Sequence, residues 1–225
     1  MKNDCIACVF KSKSAETLGE AHLEHLSCNN VTVQFKKGDS IIKQGMYSTN
    51  IVYLRSGMAK IHITGPYHEQ IVRIVKASCY LGLPTTIGDK INQYSITAIN
   101  DVEVCFIDIT AFKLLLRETE HFAYEIILDL CKNELEAIKR CANRTQKQIR
   151  GNIADAILEF ADKIYESDNF TLPISKAEIG NLVDTTRESV SRILNEFHND
   201  GIIKMKGKKI EILNRNSLLL ISQNG

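Results

Sequence analysis

Short runs of alternating apolar and polar residues fill the chain from residue 31 to about residue 110. Val31, Val33 and Phe35 alternate with polar residues, and Lys37-Gly38-Asp39 then forms a turn signal. Turn signals recur at intervals of roughly 8 to 12 residues, a pattern typical of an antiparallel barrel or sandwich. The strands are predicted at residues 31–35, 40–43, 51–54, 59–63, 71–75, 94–99 and 102–107.

Helical periodicity replaces this alternation on both sides of the predicted strands. Leu18, Leu23 and Leu26 lie at helical spacing near the start of the chain. From about residue 111 to residue 143, apolar residues recur at steps of three and four, which is the a/d pattern of a two-stranded helical seam. We predict that this helix pairs with a second copy of the chain, the alternative being that it packs on its own barrel. The predicted seam consists of Leu128, Cys131, Leu135, Ile138 and Ala142.

Two short helices joined by a tight turn are predicted between residues 175 and 201. Ser175 and Glu178 fit a capping box at the start of the first helix. Thr185 and Glu188 fit a second capping pattern, and Gly201 ends the second helix because glycine adopts a left-handed conformation at low cost. Such a pair is the helix-turn-helix arrangement.

Hydrogen-bonding side chains cluster at the start of the second helix, where a recognition helix meets base edges in the major groove. Arginine can donate two hydrogen bonds to guanine, glutamate can accept from the cytosine amino group, and serine adapts to bases or phosphate. An alternating hairpin around Gly207 adds lysines suited to phosphate contacts, as in a wing. These features predict binding to double-stranded DNA. The predicted DNA contacts are Arg187, Glu188, Ser191, Arg192, Ser175, Lys176, Thr186, Lys206 and Lys208.

Composition narrows the function classes. Lys and Arg total 28 and Asp and Glu total 27, a net charge of +1, so any charge that attracts DNA must be local. We find neither an apolar run long enough to span a membrane nor a secretory signal, and we expect a cytoplasmic protein without membrane partners. Seven cysteines in that reducing compartment argue against a disulfide framework. No motif of a hydrolase, nucleotide-binding loop or metalloprotease is present, so we predict no enzyme activity.

The chain resembles the CRP/FNR family, named for the cyclic-AMP receptor protein and the fumarate-nitrate reduction regulator, and is closer to the FNR-like branch. The most specific match is the segment Thr186-Arg187-Glu188-Ser189-Val190-Ser191-Arg192-Ile193-Leu194. Further matches are Ile179-Gly180, Lys206-Gly207-Lys208, Lys37-Gly38-Asp39, Gly45, Tyr53, Gly57 and Gly82.

The resemblance implies an α+β chain in four parts. These are an N-terminal segment (1–30), an effector-sensing β-barrel of the cyclic-nucleotide-binding-like jelly-roll type (31–110), a dimerisation helix region (111–143) and a winged helix-turn-helix DNA-binding domain (144–225). It also implies a homodimer that binds a near-palindromic site and contacts RNA polymerase. Arg187, Glu188 and Arg192 match readers of a TGTGA-like half-site, whereas Ser191 beside Glu188 and Arg192 matches readers of TTGAT. The choice of half-site stays open, as do the target genes and whether the protein activates or represses transcription.

The predicted effector pocket departs from the cyclic-nucleotide pattern of the family. Gly82 is kept, but Leu83 stands where the resemblance places a ribose-binding glutamate, and the phosphate-binding pair falls at Tyr94 and Ser95, without its arginine. A cyclic phosphate would lose a charge-assisted bidentate contact there, which argues against cyclic AMP. The effector itself is not identified by the sequence.

Four cysteines are the candidate metal ligands. Cys5, Cys8 and Cys105 match three of the four cysteines of the FNR iron-sulfur pattern, but Ser14 falls where the third N-terminal cysteine should be. Cys28 could replace it only if the N-terminal segment folds differently. Zinc at Cys5 and Cys8 is equally short of ligands, and haem stays open because histidine and cysteine are both axial ligands. The alternative function is therefore a metal- or haem-containing redox sensor whose primary site is the cysteine set.

Overall fold

The computed structural model describes residues 4–225, and contacts divide the chain into two compact units. Among the described residues, one unit comprises 4–64 and 72–135, and the other comprises 65–71 and 136–225. The α-helices are α1 (Lys13–Glu16), α2 (Glu20–Cys28), α3 (Ile109–Glu118), α4 (Glu120–Gln146), α5 (Ile149–Glu159), α6 (Lys176–Val183), α7 (Arg187–Asn199) and α8 (Arg215–Asn224), and two π-helical segments span Thr85–Asp89 and Phe160–Tyr165. The strands are β1 (Asn30–Phe35), β2 (Ser40–Ile42), β3 (Asn50–Ser56), β4 (Met58–Thr64), β5 (Glu69–Lys76), β6 (Cys79–Leu81), β7 (Ser95–Ala98), β8 (Val102–Asp108), β9 (Asn169–Thr171), β10 (Ile203–Lys206) and β11 (Lys209–Ile212).

Two four-stranded antiparallel sheets form the first unit, in the orders β1-β8-β3-β6 and β2-β7-β4-β5. Alternate residues of these strands point inward, which is why Leu54, Ile96 and Val104 are fully buried in one apolar cluster. All seven predicted strands are present within a few residues of their predicted bounds. The jelly-roll prediction is therefore confirmed.

The prediction of one continuous helical pattern from residue 111 to residue 143 is wrong at Thr119. This residue has an extended backbone (φ −126°, ψ 100°) and separates α3 from α4. The break lets both helices bury an aromatic ring in the same cluster. The rings of Phe112 and Phe122 meet edge to face with their centroids 5.4 Å apart, and both side chains are fully buried.

Strand β6 was not predicted, because its three residues, Cys79-Tyr80-Leu81, show no alternation of apolar and polar side chains. It pairs with β3 in the register Tyr53↔Tyr80. The two tyrosine rings lie 4.9 Å apart and belong to the same apolar cluster as Phe112.

The second unit combines helices α5 to α8 with a three-stranded sheet of order β10-β11-β9. Strand β9 was not predicted from the sequence. Strands β10 and β11 form the expected hairpin, with Gly207 in a left-handed conformation (φ 63°) in its two-residue loop. Across residues 4–225, no helix combines the length and the apolar character that a membrane crossing requires.

Candidate nucleic-acid interface and sensory sites

The turn between α6 and α7 is built from backbone hydrogen bonds. The capping box of α6 is present: Ser175 Oγ accepts from Glu178 N at 3.2 Å, and Glu178 Oε2 accepts from Ser175 N at 2.9 Å. Asp184 then adopts a left-handed backbone (φ 59°), and Thr185 N donates to Gly180 O at 2.9 Å. The capping box fixes the start of α6, and the bonds of Asp184 N and Thr185 N to Gly180 O fix the short connection between the two helices.

Helix α7 begins one residue later than its sequence pattern suggested. Its N-cap is Thr186, whose Oγ1 accepts from Ser189 N at 3.2 Å, so the prediction of a cap at Thr185 is wrong. Thr185 is instead used in the turn, where its amide donates to Gly180. The helix ends at Asn199, and Gly201 follows in a left-handed conformation (φ 67°), as the sequence predicted.

The two faces of α7 differ sharply. One face is buried and consists of Val190, Ile193, Leu194 and Phe197. The predicted base readers lie on the other face, where Arg187, Glu188 and Arg192 are exposed and Ser191 is half-buried. The packing thus fixes the helix while leaving these side chains at the surface.

Three cations from separate elements line one open cleft of about 370 Å³. Lys176 comes from the start of α6, Arg187 from the start of α7, and Lys208 from the hairpin loop. Ser175, another predicted DNA contact, and the turn residue Gly207 also line this cleft. Lys206 is exposed on β10. Converging cations of this kind suit the phosphate groups of a nucleic-acid backbone.

The predicted seam residues all lie on α4. Leu128 is half-buried, whereas Cys131, Leu135, Ile138 and Ala142 are exposed. Leu135 and Ile138 expose 61% and 57% of their surface, and Tyr124 and Ile127 of the same helix are also exposed. An apolar stripe of this length on one helix marks a surface suited to another protein surface.

The predicted effector residues are mostly packed into the first unit. Leu83 is buried in the cluster that contains Tyr53 and Phe112, and Ser95 Oγ accepts from Gln44 N at 3.0 Å. Burial raises the pKa of Tyr94, while the nearby Arg73 guanidinium lowers it. Gly82 has a left-handed backbone (φ 74°).

Arg73 was not found by sequence reasoning. It lies on β5, close enough to Tyr94 and Cys79 to lower the pKa of both groups, although burial raises the pKa of Cys79 to about 12. Its Nη1 donates to Asn133 Oδ1 at 2.6 Å. The signal in the sequence was a charged residue inside the apolar run 71–75.

Three of the four candidate metal ligands line one pocket. Cys5 and Cys8 come from the N-terminal segment and Cys105 from β8, whereas Cys28 is exposed at the end of α2 and is not part of this lining. Asn30 Nδ2 donates to Cys5 Sγ at 3.3 Å, and Thr32 Oγ1 lies 3.3 Å from Cys105 Sγ. Residues separated by about 100 positions are therefore brought together.

Arg55 is the charged neighbour of these thiols and was also missed from the sequence. Its Nη2 donates to Cys8 Sγ at 3.5 Å, and its Nη1 pairs with Glu103 Oε1 at 2.8 Å. Burial raises the pKa of Cys105, and Arg55 partly offsets this effect. No sequence motif links Arg55 to the cysteines, since the pairing of β3 with β8 brings Arg55 near Cys105 and the N-terminal segment brings Cys8 to it.

Ser14, which stands in place of the third N-terminal cysteine, is a buried structural residue. Its Oγ lies 2.9 Å from Ser12 Oγ and 3.2 Å from Tyr80 Oη. Within residues 4–225, no group of three His, Cys, Asp or Glu side chains is placed to hold a metal ion. The pocket contains three cysteines, and this set does not fit a cluster that requires four cysteines as ligands.

Two family models match the chain. A cyclic nucleotide-binding domain model covers residues 32–119, and a Crp-like helix-turn-helix domain model covers residues 152–221. The chain belongs to the CRP/FNR family of transcription regulators.

Curated relatives are regulators of the FNR type. The electron transport regulator A of Shewanella oneidensis is 28% identical over 197 residues, which cover 84% of this chain and 77% of that protein. The fumarate and nitrate reduction regulatory protein of Vibrio cholerae is 25% identical over 210 residues, which cover 90% of this chain and 83% of that protein.

Solved structures share the fold. FixK2 from Bradyrhizobium japonicum superimposes with a TM-score of 0.78 at 18% identity, covering 85% of this chain and 96% of that chain. A regulator of the crp/fnr family from Eubacterium rectale gives a TM-score of 0.76 at 19% identity, covering 95% and 99%.

The family assignment fixes the general function. This CRP/FNR regulator is a DNA-binding transcription regulator with a sensory N-terminal domain, and it is not an enzyme. Regulators of this family bind DNA and act as dimers.

Proposed function

We propose that this CRP/FNR regulator is a homodimer that reads a near-palindromic DNA site with α7 and holds the adjacent backbone with the cation-lined cleft. The observation that carries the proposal is the arrangement of Arg187, Lys176 and Lys208 around one cleft beside the exposed face of α7. Cations fix the register of a protein on DNA, and the neighbouring base readers then supply specificity.

Dimerisation is assigned to the exposed stripe of α4. Leu128, Cys131, Leu135, Ile138 and Ala142 follow the a/d spacing of a parallel helix pair, and the exposed ones have no apolar cover in a single chain. A two-fold axis along this seam gives each DNA half-site one copy of α7. The resulting half-sites are inverted and about one helical turn apart.

The proposed parts keep the boundaries predicted from the sequence: a sensory domain at 31–110, a dimerisation region at 111–143 and a DNA-binding domain at 144–225. The base readers are Arg187, Glu188, Ser191 and Arg192. The site of action is the bacterial cytoplasm, where the chromosome lies, and RNA polymerase is the partner that the family resemblance implies.

The signal is proposed to differ from those of cyclic-AMP receptors and cluster-containing FNR proteins. Leu83 and Tyr94 replace the charged groups that the cyclic-nucleotide pattern requires, and Leu83 is buried in an apolar cluster. The thiol pocket lacks a fourth cysteine, and its Cys8 thiol faces the Arg55 guanidinium. A small effector other than cyclic AMP is therefore the first candidate.

A redox signal at the thiol pocket is the second candidate. The observation that favours it is the convergence of Cys5, Cys8 and Cys105, which are distant in sequence, on one pocket beside Arg55. An ultraviolet-visible spectrum of protein purified without oxygen, with iron and zinc assays, tests whether this redox site contains a metal or haem. Thiolate-bound iron gives a broad absorption at about 400 nm, and we expect this band to be absent. Stoichiometric iron with that absorption would contradict the conclusion that the three thiols of the pocket do not fit an iron-sulfur cluster. A sharp, intense band would instead indicate haem.

Selection of bound duplexes from a random pool tests the proposed function directly. We expect the recovered sequences to contain two inverted half-sites with centres about 10 base pairs apart. Their sequence also decides between the TGTGA-like and TTGAT-like alternatives. Recovery of single half-sites would contradict the dimeric reading, and recovery of unrelated sequences would contradict specific recognition by α7.

A further inference from the structure

We propose that Glu196 is a positioning residue that sets the orientation of Arg192 for reading a base. The inference rests on the proposed function, in which Arg192 contacts a base edge. Each carboxylate oxygen of Glu196 holds a different arginine. Oε1 accepts from Arg192 Nη1 at 2.5 Å, and Oε2 accepts from Arg150 Nη1 at 3.1 Å.

Arg150 is the fixed end of this arrangement. Its second terminal nitrogen, Nη2, donates to Asp200 Oδ2 at 3.1 Å. Its guanidinium also lies over the ring of Phe197, 5.1 Å from the centroid, and Phe197 is fully buried. Two carboxylates and one immobile ring therefore hold Arg150 in place, so Glu196 is attached to the body of the domain rather than to another mobile side chain.

Arg192 is the mobile end. Its side chain is 67% exposed, and Glu196 lies one helical turn further along α7. The contact uses one N–H group of Nη1, whereas a guanidinium carries five N–H donors in a planar fork. Arg192 can therefore keep its contact with Glu196 and still present two donors to a guanine. A long side chain that is already oriented loses less conformational freedom when it binds.

The carboxylate of Glu196 has two effects on DNA binding, and they can be separated. Its negative charge repels phosphates, and this effect weakens binding to every duplex alike. Its orientation of Arg192 strengthens binding only where the matching base is present. The ratio of affinities for matched and mismatched duplexes cancels the first effect and reports the second.

The experiment uses the full-length protein and two palindromic duplexes, one built from TGTGA half-sites and one from TTGAT half-sites. Each is compared with a version in which one guanine position of both half-sites is changed to adenine. Glu196→Ala is expected to tighten binding to all duplexes but to lower the matched-to-mismatched ratio by about twofold to fivefold, the range that exposed ion pairs support. Glu196→Gln keeps one acceptor oxygen and is expected to give an intermediate ratio.

Asp200→Asn is the matched control. Asp200 lies at the end of α7 and pairs with the same Arg150, and the amide oxygen of asparagine can still accept a hydrogen bond from Arg150 Nη2, so Arg150 stays in place. Its substitution removes one negative charge at a similar place. We expect tighter binding to all duplexes and an unchanged ratio.

A second comparison places Glu196→Ala in the Arg192→Ala background. Because Glu196 acts through Arg192, it should then leave the ratio unchanged. The proposal is overturned if Glu196→Ala alone leaves the ratio at the wild-type value, or if it lowers the ratio equally without Arg192. Failure of the proposed function would look different, since wild-type protein would then bind matched and mismatched duplexes equally.

Discussion

Gly180 of α6 and Thr185 of the following turn approach so closely that a Cβ atom on Gly180 would lie 2.5 Å from the Thr185 backbone oxygen. Real Cβ contacts do not reach this distance, and the partner is backbone, which cannot rotate away. The tight connection of the helix-turn-helix therefore depends on a glycine at this position.

Replacement of Gly180 by alanine should destabilise the DNA-binding domain. Relief of the contact requires a shift of the turn, and strained substitutions of this kind cost about 1–3 kcal/mol. The free energy of unfolding, measured by urea titration, checks the expectation. Gly88→Ala is the control, because a Cβ at Gly88 meets nothing within 4 Å. Equal stabilities of the two variants would contradict the close approach.

Arg192→Ala tests direct reading of a base. Loss of a bidentate contact to guanine should weaken specific binding by about 1–3 kcal/mol and relax discrimination at one position of each half-site. Fluorescence anisotropy titrations with a set of single-base-pair variants give both quantities. A uniform loss across all duplexes would identify Arg192 as a phosphate contact instead.

Lys208→Ala tests the backbone contacts of the hairpin. Lys208 is exposed in the loop beside Lys176 and Arg187, so its removal should weaken binding to all duplexes by a similar factor. The slope of log affinity against log salt should become shallower by about one counterion per subunit. An unchanged slope combined with altered base preference would place Lys208 at a base edge.

The fold was predictable wherever one pattern extended over several residues. The seven strands from β1 to β5 and at β7 and β8 followed from alternation and turns, and the capping box at Ser175 followed from its spacing. Features without a local repeating pattern, or features that depend on tertiary contacts, were not predicted from the sequence. Strand β6 has three residues and owes its pairing to β3, and the break at Thr119 arises because Phe112 and Phe122 share one core.

The candidate sites were predictable only in part, for a related reason. The base readers form one contiguous helical segment, so the sequence pattern contains them. Arg55 and Arg73 contact partners that are distant in sequence, such as Cys8 and Asn133, and Glu196 is held by Arg150 of another helix. Contacts of this type follow from strand pairing and helix packing, and the periodicity of apolar and polar residues along the sequence does not specify either of them.

Disulfide cross-linking tests the proposed seam on α4. Residues 124, 128, 131, 135, 138, 142 and 145 follow alternating steps of four and three, which places Cys131 on the seam and Cys141 beside it. In a parallel pair of helices, Cys131 meets its own copy within the distance that a disulfide spans. Diamide, which is reduced as it takes up two electrons and two protons from the thiols, should therefore produce covalent dimers.

The two cysteines provide each other's control. Cross-linked dimers should persist in Cys141→Ser and disappear in Cys131→Ser on non-reducing gels. Sedimentation under reducing conditions should show dimers for both variants. Cross-linking that depends on Cys141 instead of Cys131 would contradict the assigned seam.

The most direct test of the central claim is a competition measurement of the wild-type protein with two duplexes at one physiological salt concentration. One duplex contains the inverted half-sites recovered by selection, and the other contains the same bases in scrambled order. Specific recognition by α7 predicts that the first duplex binds at least about a thousandfold more tightly. Equal affinity for the two duplexes would contradict sequence-specific reading and leave only electrostatic attachment to the backbone.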